Sequence, residues 1–197
     1  MLAVAAQRTN ARATLIAADA SVWRSDAPFD LAVSRFGVMF FDAPDPAFAN
    51  IAANVRPGGR LLFTCWRGLR ENQWVTTPLD AVADLLPAAP PPAPHAPGPF
   101  ALADCDRLRA ILEGAGLVKI AIRPFDFQVC LASEGGVEAA VRFAMQIGPT
   151  GAALAEASKP ARAAAKERLA PALAPHERNG VVTLGGAIWL VEAVQAD

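Results

Sequence analysis

Two apolar runs, residues 29–36 (FDLAVSRF) and residues 60–66 (RLLFTCW), bracket a stretch with helical spacing. In the first run Leu31, Ala32 and Val33 do not alternate with polar residues, as a strand covered on both faces requires. Between the runs Phe48, Ile51, Ala52 and Val55 fall at i, i+3, i+4 and i+7, which is one apolar helix face. Asp45 is placed to cap that helix and Pro46 to fill its first position. Pro57-Gly58-Gly59 is expected to end it and turn the chain. A strand, a helix and a strand in this order imply a parallel sheet with a right-handed crossover. An earlier run, residues 13–20 (ATLIAADA), ends at Asp19–Ala20 and reads as one more strand. The fold class is α/β.

The remainder alternates in the same way. Residues 1–11 read as a helix with no cap before it. Val75, Leu79, Val82 and Leu86 predict a helix over 73–86. Residues 87–100 are too rich in proline for regular structure. Asp104 is a plausible N-cap for a helix whose face is Leu108, Ile111, Leu112 and Ala115, with Gly116 as its stop. Residues 117–131 are strand-like with an interruption at Pro124. Helices follow over 135–147 and 158–174, and a closing strand over 180–195 is expected to pair with 117–131.

A chain of 197 residues suits one domain and buries about 70% of its unfolded surface without disulfides. The net charge is −1, and no cluster of Lys and Arg stands out, so nucleic acid is not the expected partner. No apolar run approaches the roughly 20 residues that span a bilayer, and the N-terminus lacks the parts of a secretory leader. Cys65, Cys105 and Cys130 are widely spaced with no C-x-x-C pattern, which argues against a metal cluster or a disulfide framework. Reduced thiols fit a cytoplasmic protein. The only histidines, His95 and His176, fall in segments that read as solvated, and neither is supported as a general base.

The order ML-x-x-A, ADA, FDLAVSRFGVMFF, F-A-N-I, RPGGRLLFTCW, N-x-W, PGPF and IL-x-x-AG resembles the class I S-adenosylmethionine (SAM) dependent methyltransferases. The likeness is to the small-molecule branch with the type-11/type-25 methyltransferase domain. That family has a Rossmann-like seven-stranded sheet in the order 3-2-1-4-5-7-6, its last strand antiparallel. By order, the resemblance makes 13–19 strand three, 29–35 strand four, 60–66 strand five, 117–130 strand six and 181–194 strand seven. Strands three to five would be parallel, and six and seven an antiparallel pair. Strands one and two, the glycine-rich loop and the ribose-binding acid have no counterpart, so the chain reads as N-terminally truncated within a single incomplete domain. Residues 1–69 would be the residual cofactor half. Residues 70–103 and 132–175 would be lid and substrate insertions, and 104–131 with 176–197 the C-terminal part of the sheet.

The resemblance implies SAM as cofactor, bound weakly or not at all by an incomplete site. Asp19 would accept a hydrogen bond from the adenine amino group, and the Ala20 backbone would contact the ring. Ser34, Arg35 and Phe36 would lie beside the methionine portion, beyond the carboxyl end of their strand, where ligands of open parallel sheets bind. Gly37 would permit a tight turn there, and the Met and Phe residues after it would cover the sulfonium. From the residues alone, Asp19 equally suits capping a turn, Arg35 suits a surface ion pair, Phe40 and Phe41 suit core packing, and Asn72 and Trp74 suit either a pocket wall or helix-start packing. Methyl transfer from a sulfonium needs alignment and exclusion of water more than an acid or base, so no catalytic residue is named. The expected partner is a small-molecule methyl acceptor, with self-association through the open edge of strand four. The rival reading is a non-catalytic remnant or interaction module that keeps the C-terminal part of the fold.

Overall fold

The structure, a computed structural model, describes residues 2–9, 12–86 and 93–197. Helix α1 (Leu2–Thr9) is followed by β1 (Phe29–Arg35), a 3-10 turn (Val38–Phe40), α2 (Pro44–Ala53) and β2 (Val55–Trp66). Then come α3 (Gln73–Val82), α4 (Cys105–Gly114), β3 (Leu117–Ala132), α5 (Gly136–Ala144), α6 (Gly148–Ala155), α7 (Lys159–Leu173), β4 (Glu177–Arg178) and β5 (Val181–Gln195). The sheet runs β1-β2-β5-β3, with β4 paired to β5. β1 and β2 are parallel; β5 is antiparallel to both β2 and β3.

Alternation along β2 decides which face is packed. Leu61, Phe63 and Cys65 are buried, while Arg60, Leu62 and Thr64 are not. The buried set meets α2 and α4 through Phe48, Ala52, Leu108 and Leu112. A second core lies where α3, α5, α6 and α7 pack around Leu131, Val182 and Leu184. The opposite face of the sheet, around β1, stays open: Leu31 is 44% and Val33 69% exposed. The continuous apolar run in β1 is therefore not the sign of coverage on both faces; Ala32 alone of the three packs against the core.

Four further expectations are corrected. Residues 13–20 form no strand; they are irregular and exposed, with Leu15 and Ile16 facing solvent. No neighbouring strand offers that run a ladder among the described residues, so the parallel part of the sheet is the β1–β2 pair. Pro57-Gly58-Gly59 is not a turn between elements but a bulge inside β2. The register jumps there from Phe29↔Val55 to Leu31↔Arg60. A Cβ on Gly59 would sit 2.6 Å from Val55 Cγ1 and 3.0 Å from the Asp30 carbonyl oxygen, so only glycine fits. Helix α2 starts two residues earlier than expected: Ala43 is its N-cap without a side-chain bond, Pro44 opens it, and Asp45 lies in its first turn, where negative charge suits the helix dipole. Finally, β3 passes through Pro124 without a break, opposite Trp189. β3 is an edge strand, and a residue without an N–H is tolerated on its outer side.

The other elements lie close to where periodicity puts them, except that 135–147 stops as α5 at Ala144 and a separate α6 follows. Residues 87–92 of the proline-rich stretch lie outside the described residues; 93–100 contain only turns and bends. Asp104 caps α4, accepting from the N–H groups of Asp106 (2.9 Å) and Arg107 (3.0 Å).

Phe48 is fully buried between Phe41 and Phe63, with ring centroids at 6.3 and 5.4 Å. Phe48→Ala is expected to lower stability by about 3–5 kcal/mol, read as a shift in denaturant midpoint at unchanged slope. The Asp104 carboxyl is held below its ordinary value of 3.8, first by the Arg107 N–H bond. A lowered value in the folded state means that the cap stabilises above pH 3.8 and that this is lost as pH falls through the lowered value. Thermal melts of Asp104→Ala should therefore lie below those of the unaltered chain at neutral pH and converge with them in acid; a constant gap would refute the cap as the cause.

Candidate functional site

The carboxyl end of β1 is built by an unusual backbone turn. Phe36 has φ of +64°, a left-handed conformation that costs a bulky residue roughly 1–2 kcal/mol. Its ring is stacked on Trp66, centroids 4.6 Å apart at 15°. Gly37, expected to supply the tight turn, has an ordinary φ of −80°. A Cβ there would lie a tight 3.2 Å from Ser34 Oγ, which accepts the Gly37 N–H at 3.3 Å, so a side chain at this position would need that hydroxyl to shift.

A loop approaches this tip from across α2. Asn50 donates through Nδ2 to the carbonyls of Ala20 (3.0 Å) and Trp23 (2.9 Å). Asn54 donates to the Trp23 carbonyl (3.0 Å) and accepts from the Ser25 N–H (2.7 Å). These two amides, one helical turn apart, were not singled out by sequence reasoning, although a polar pair on the helix face next to the apolar one was the available signal. They fix residues 20–25 against the helix and so place Ala20 next to β1.

The result is a hollow of about 320 Å³ whose wall includes Ala20, Ala32, Ser34, Gly37, Phe41 and Ile51. A second hollow of about 310 Å³ shares Phe41 and is bounded by Asp19, Ser21, Phe40 and Asp42. Asp19, Ala20 and Ser34 are thus gathered on the α2 side of the sheet. Arg35 is not with them. Residues alternate along a strand, and Arg35 lines another hollow of about 240 Å³ on the open face with Val33, Arg123 and Glu192, a hollow whose wall Ser34 also joins. Phe36 turns to Trp66. Met39 is buried, its sulfur accepting the Trp66 N–H at 3.4 Å, so it belongs to the core, whereas Phe40 is exposed at the rim.

The electrostatics are mild. Asp19 Oδ1 accepts from both the N–H (2.9 Å) and the hydroxyl (2.7 Å) of Ser21, and these bonds hold its carboxyl below the ordinary range. Its other oxygen has no protein donor among the described residues. Asp19 therefore closes a turn and still has an acceptor to offer. Cys65 lies behind the tip, and burial pushes its thiol up to about 12, so it is a neutral core group and no nucleophile. No histidine lines either hollow. His95 is exposed, and His176 lies in a 3-10 turn at Ala174–His176. No group of metal-ligating side chains is found among the described residues.

On the other side of Phe36 an aromatic series continues from Trp66 to Trp74 (4.9 Å) and to Phe127 (5.9 Å). Arg67 follows at once. It donates to Asp126 (2.6 Å) and Glu71 and lies 5.3 Å over the Trp189 ring. With Gln73, Phe127 and Gly185 it bounds a polar hollow of about 560 Å³. Asn72 is buried, donating to the Arg67 and Gly68 carbonyls and accepting the Ala187 N–H (2.9 Å), which makes it a structural tie between β2, α3 and β5. Trp74 is likewise packed in the second core. Together the hollows offer a ligand apolar walls, an aromatic rim and a few acceptors; they can bind and orient, but carry no acid–base pair.

Comparison with known proteins follows the same lines. A methyltransferase domain family matches residues 1–63. No curated protein matches the sequence. Among solved structures, a Bacillus halodurans protein described as a methyltransferase is 13% identical, with 94% of this chain and 79% of that one covered and a TM-score of 0.52. The YcgJ protein of Bacillus subtilis is 12% identical over 99% of this chain and 76% of its own, with a TM-score of 0.55. Phosphoethanolamine N-methyltransferase 2 of Haemonchus contortus, solved in complex with S-adenosyl-L-methionine, is 16% identical over 100% of this chain but only 41% of its own, with a TM-score of 0.50. No helix among the described residues is long and apolar enough to cross a membrane. The mixed α/β fold is that of the methyltransferase structures it resembles, and the match to the methyltransferase domain family covers the first 63 residues.

Proposed function

We propose that the chain is a SAM-dependent methyltransferase homologue that transfers a methyl group to a small-molecule acceptor, with its cofactor lying along the paired hollows at the carboxyl end of β1. The observation that carries this reading is the hollow in which Ala20 and Ser34 meet, next to the one bounded by Asp19. Across the two hollows the free Asp19 oxygen would accept from the adenine amino group, Ala20 and Phe41 would flank the ring, and Ser34 would face the methionine portion. Arg35 acts from the open face, at the rim.

Three further features support it. β1, β2, β5 and β3 stand in the order that the resemblance assigns to strands four, five, seven and six. A solved neighbour of similar fold was obtained with SAM bound. The polar hollow beside Arg67 lies past the carboxyl end of β2, between Gln73 at the start of α3 and the β3 and β5 residues Phe127 and Gly185, and suits an acceptor. When bound, SAM supplies a methyl group already activated for in-line displacement. The chain's residues hold the two reactants in line and keep water out.

Each hollow is open and offers few fixed donors, and the sequence has no glycine-rich strand–turn–helix to wrap a pyrophosphate-like or ribose edge. Binding weaker than about millimolar, above −4.1 kcal/mol, follows. Titration with S-adenosylhomocysteine, followed by amide NMR, should move the signals of residues 19–21 and 32–37 without saturating below millimolar. Shifts confined to other residues, or none at the solubility limit, would sink the reading; micromolar affinity would overturn the claim of a weak site. A non-catalytic interaction module is the second reading, favoured by the apolar side chains left exposed along β1, and an absence of shifts would select it.

A further inference from the structure

We infer that Asp126 decides which acceptors the hollow beside Arg67 admits: by holding the Arg67 guanidinium it keeps anionic acceptors out and leaves the hollow to molecules that carry a protonated amine. The acceptor role of the hollow, on which this rests, is the one proposed above.

An arginine on the wall of a binding hollow is ordinarily a receptor for carboxylate or phosphate, because its planar fork of N–H groups matches their oxygens. Arg67 is not free to act in that way. Its Nη1 donates to Asp126 Oδ1 (2.6 Å) and its Nη2 to Glu71. Its Nε is buried, and its guanidinium carbon lies 5.3 Å from the centroid of the Trp189 ring. Both terminal nitrogens are thus engaged by carboxylates, the third is shut off from the hollow, and the side chain is only 18% exposed. Arg70, the other cation on the wall, has Asp80 at 3.7 Å.

What remains open is of the opposite sign. Two carboxylates face one guanidinium in the Arg67 cluster, which leaves it an excess of negative charge. The Asp126 side chain is 78% exposed, and its Oδ2 has no protein donor among the described residues. Glu71 has no such oxygen to spare: Oε1 accepts the Gly68 N–H (3.0 Å) and Oε2 the Arg67 bond. Gln73 Oε1 likewise accepts the Gly185 N–H (3.2 Å). An ammonium group is a compact charge with three donors, and it takes the free Asp126 oxygen without disturbing the pair with Arg67. A carboxylate or phosphate arriving there meets Asp126 first and reaches Arg67 only by displacing it. Refusal of one sign of charge by a like charge is a general source of selectivity. Screening by water keeps the attraction modest, so the selection shows as a difference between cation and anion and not as tight binding.

The test is amide NMR with two probes of similar size, ethylammonium and acetate. In the unaltered chain ethylammonium should move the signals of residues 67–73, 126–128 and 185–187, and acetate at the same concentration should leave them in place. Asp126→Ala, at an exposed position on an edge strand, should reverse the order: acetate gains and ethylammonium loses at least about fivefold in affinity. If that variant does not fold, Asp126→Asn, which removes the charge but keeps an acceptor for Arg67, takes its place, and the preference of the unaltered chain is read in either case. Acetate moving those signals in the unaltered chain as readily as ethylammonium overturns the inference. So does a lack of response to either probe, or a folded Asp126 variant that gains no acetate binding. The S-adenosylhomocysteine titration reads residues 19–21 and 32–37, so the two readings fail separately. Silence there with the ammonium preference intact overturns the cofactor reading alone, and shifts there without the preference overturn only the charge class of the acceptor.

Discussion

The side-chain amides of Asn50 and Asn54 hold the candidate site together. Without them residues 12–28 have no ladder to join and little apolar burial to anchor them. Three hydrogen bonds from these amides, and one into Asn54, tie the Ala20–Ser25 segment to the last turns of α2. Each such bond is worth roughly 0.5–1.5 kcal/mol net, and a buried partner left alone costs about 1–3 kcal/mol. α2 is itself fixed to β2 by Phe48 and Ala52. The position of Asp19 and Ala20 relative to Ser34 is thus inherited, through two asparagines, from the packing of one helix on one strand.

That dependence explains which parts could be read from the residues. The helices and strands that bury a periodic face were legible: α2, α4 with its Asp104 cap, α7, and the β3–β5 pair all lie within a few residues of where their patterns put them. Residues 13–20 were not, because an apolar run reads as a strand whether or not a partner strand exists to receive it. The bulge at Pro57-Gly58-Gly59 was hidden for a related reason. The same three residues serve a turn or an extended bulge, and the choice depends on the close approach of Val55 and Asp30 to Gly59. At the site, the order of motifs brought Ala20 and Ser34 to one hollow. Ser34 and Arg35 meet in the hollow on the open face, while Ser34 alone of the two also reaches the hollow that holds Ala20. Gly37 was rightly marked as special but for the wrong cause: the positive φ falls on Phe36, where stacking on Trp66 sustains it.

The sheet is asymmetric in its coverage, and this shapes both readings of function. α2 and α4 shield Leu61, Phe63 and Cys65, while Leu31, Val33 and Leu62 look out from the other side. The open face is not wholly apolar. Glu192 sits between Arg60 (2.7 Å) and Arg123 (3.6 Å), and Arg35 lies nearby. Exposed pairs like these add little to stability, about 0–1 kcal/mol each. Their effect is on solubility and on choice of contact, since a flat excess of positive charge on this face repels its own copy when faces stack.

Methyl transfer from a sulfonium makes the completeness of binding walls matter more than any single side chain. The leaving group is built into the cofactor, and the protein's share of the barrier is mostly orientation, an effect that reaches several kcal/mol only when both reactants are held near attack distance. On the proposed reading, a hollow that fixed the adenine end through one carboxylate oxygen and a ring contact would leave the methyl group free to sample many directions. Here Phe36, Trp66 and Phe127 do the opposite: they are locked face to face and cannot follow a moving ligand. On the proposed reading, rate would be set by how often the flexible cofactor meets the rigid aromatic rim in line with an acceptor in the hollow beside Arg67. A wall that confines the cofactor therefore raises turnover without touching the chemistry, and its absence lowers turnover although every aromatic side chain is in place.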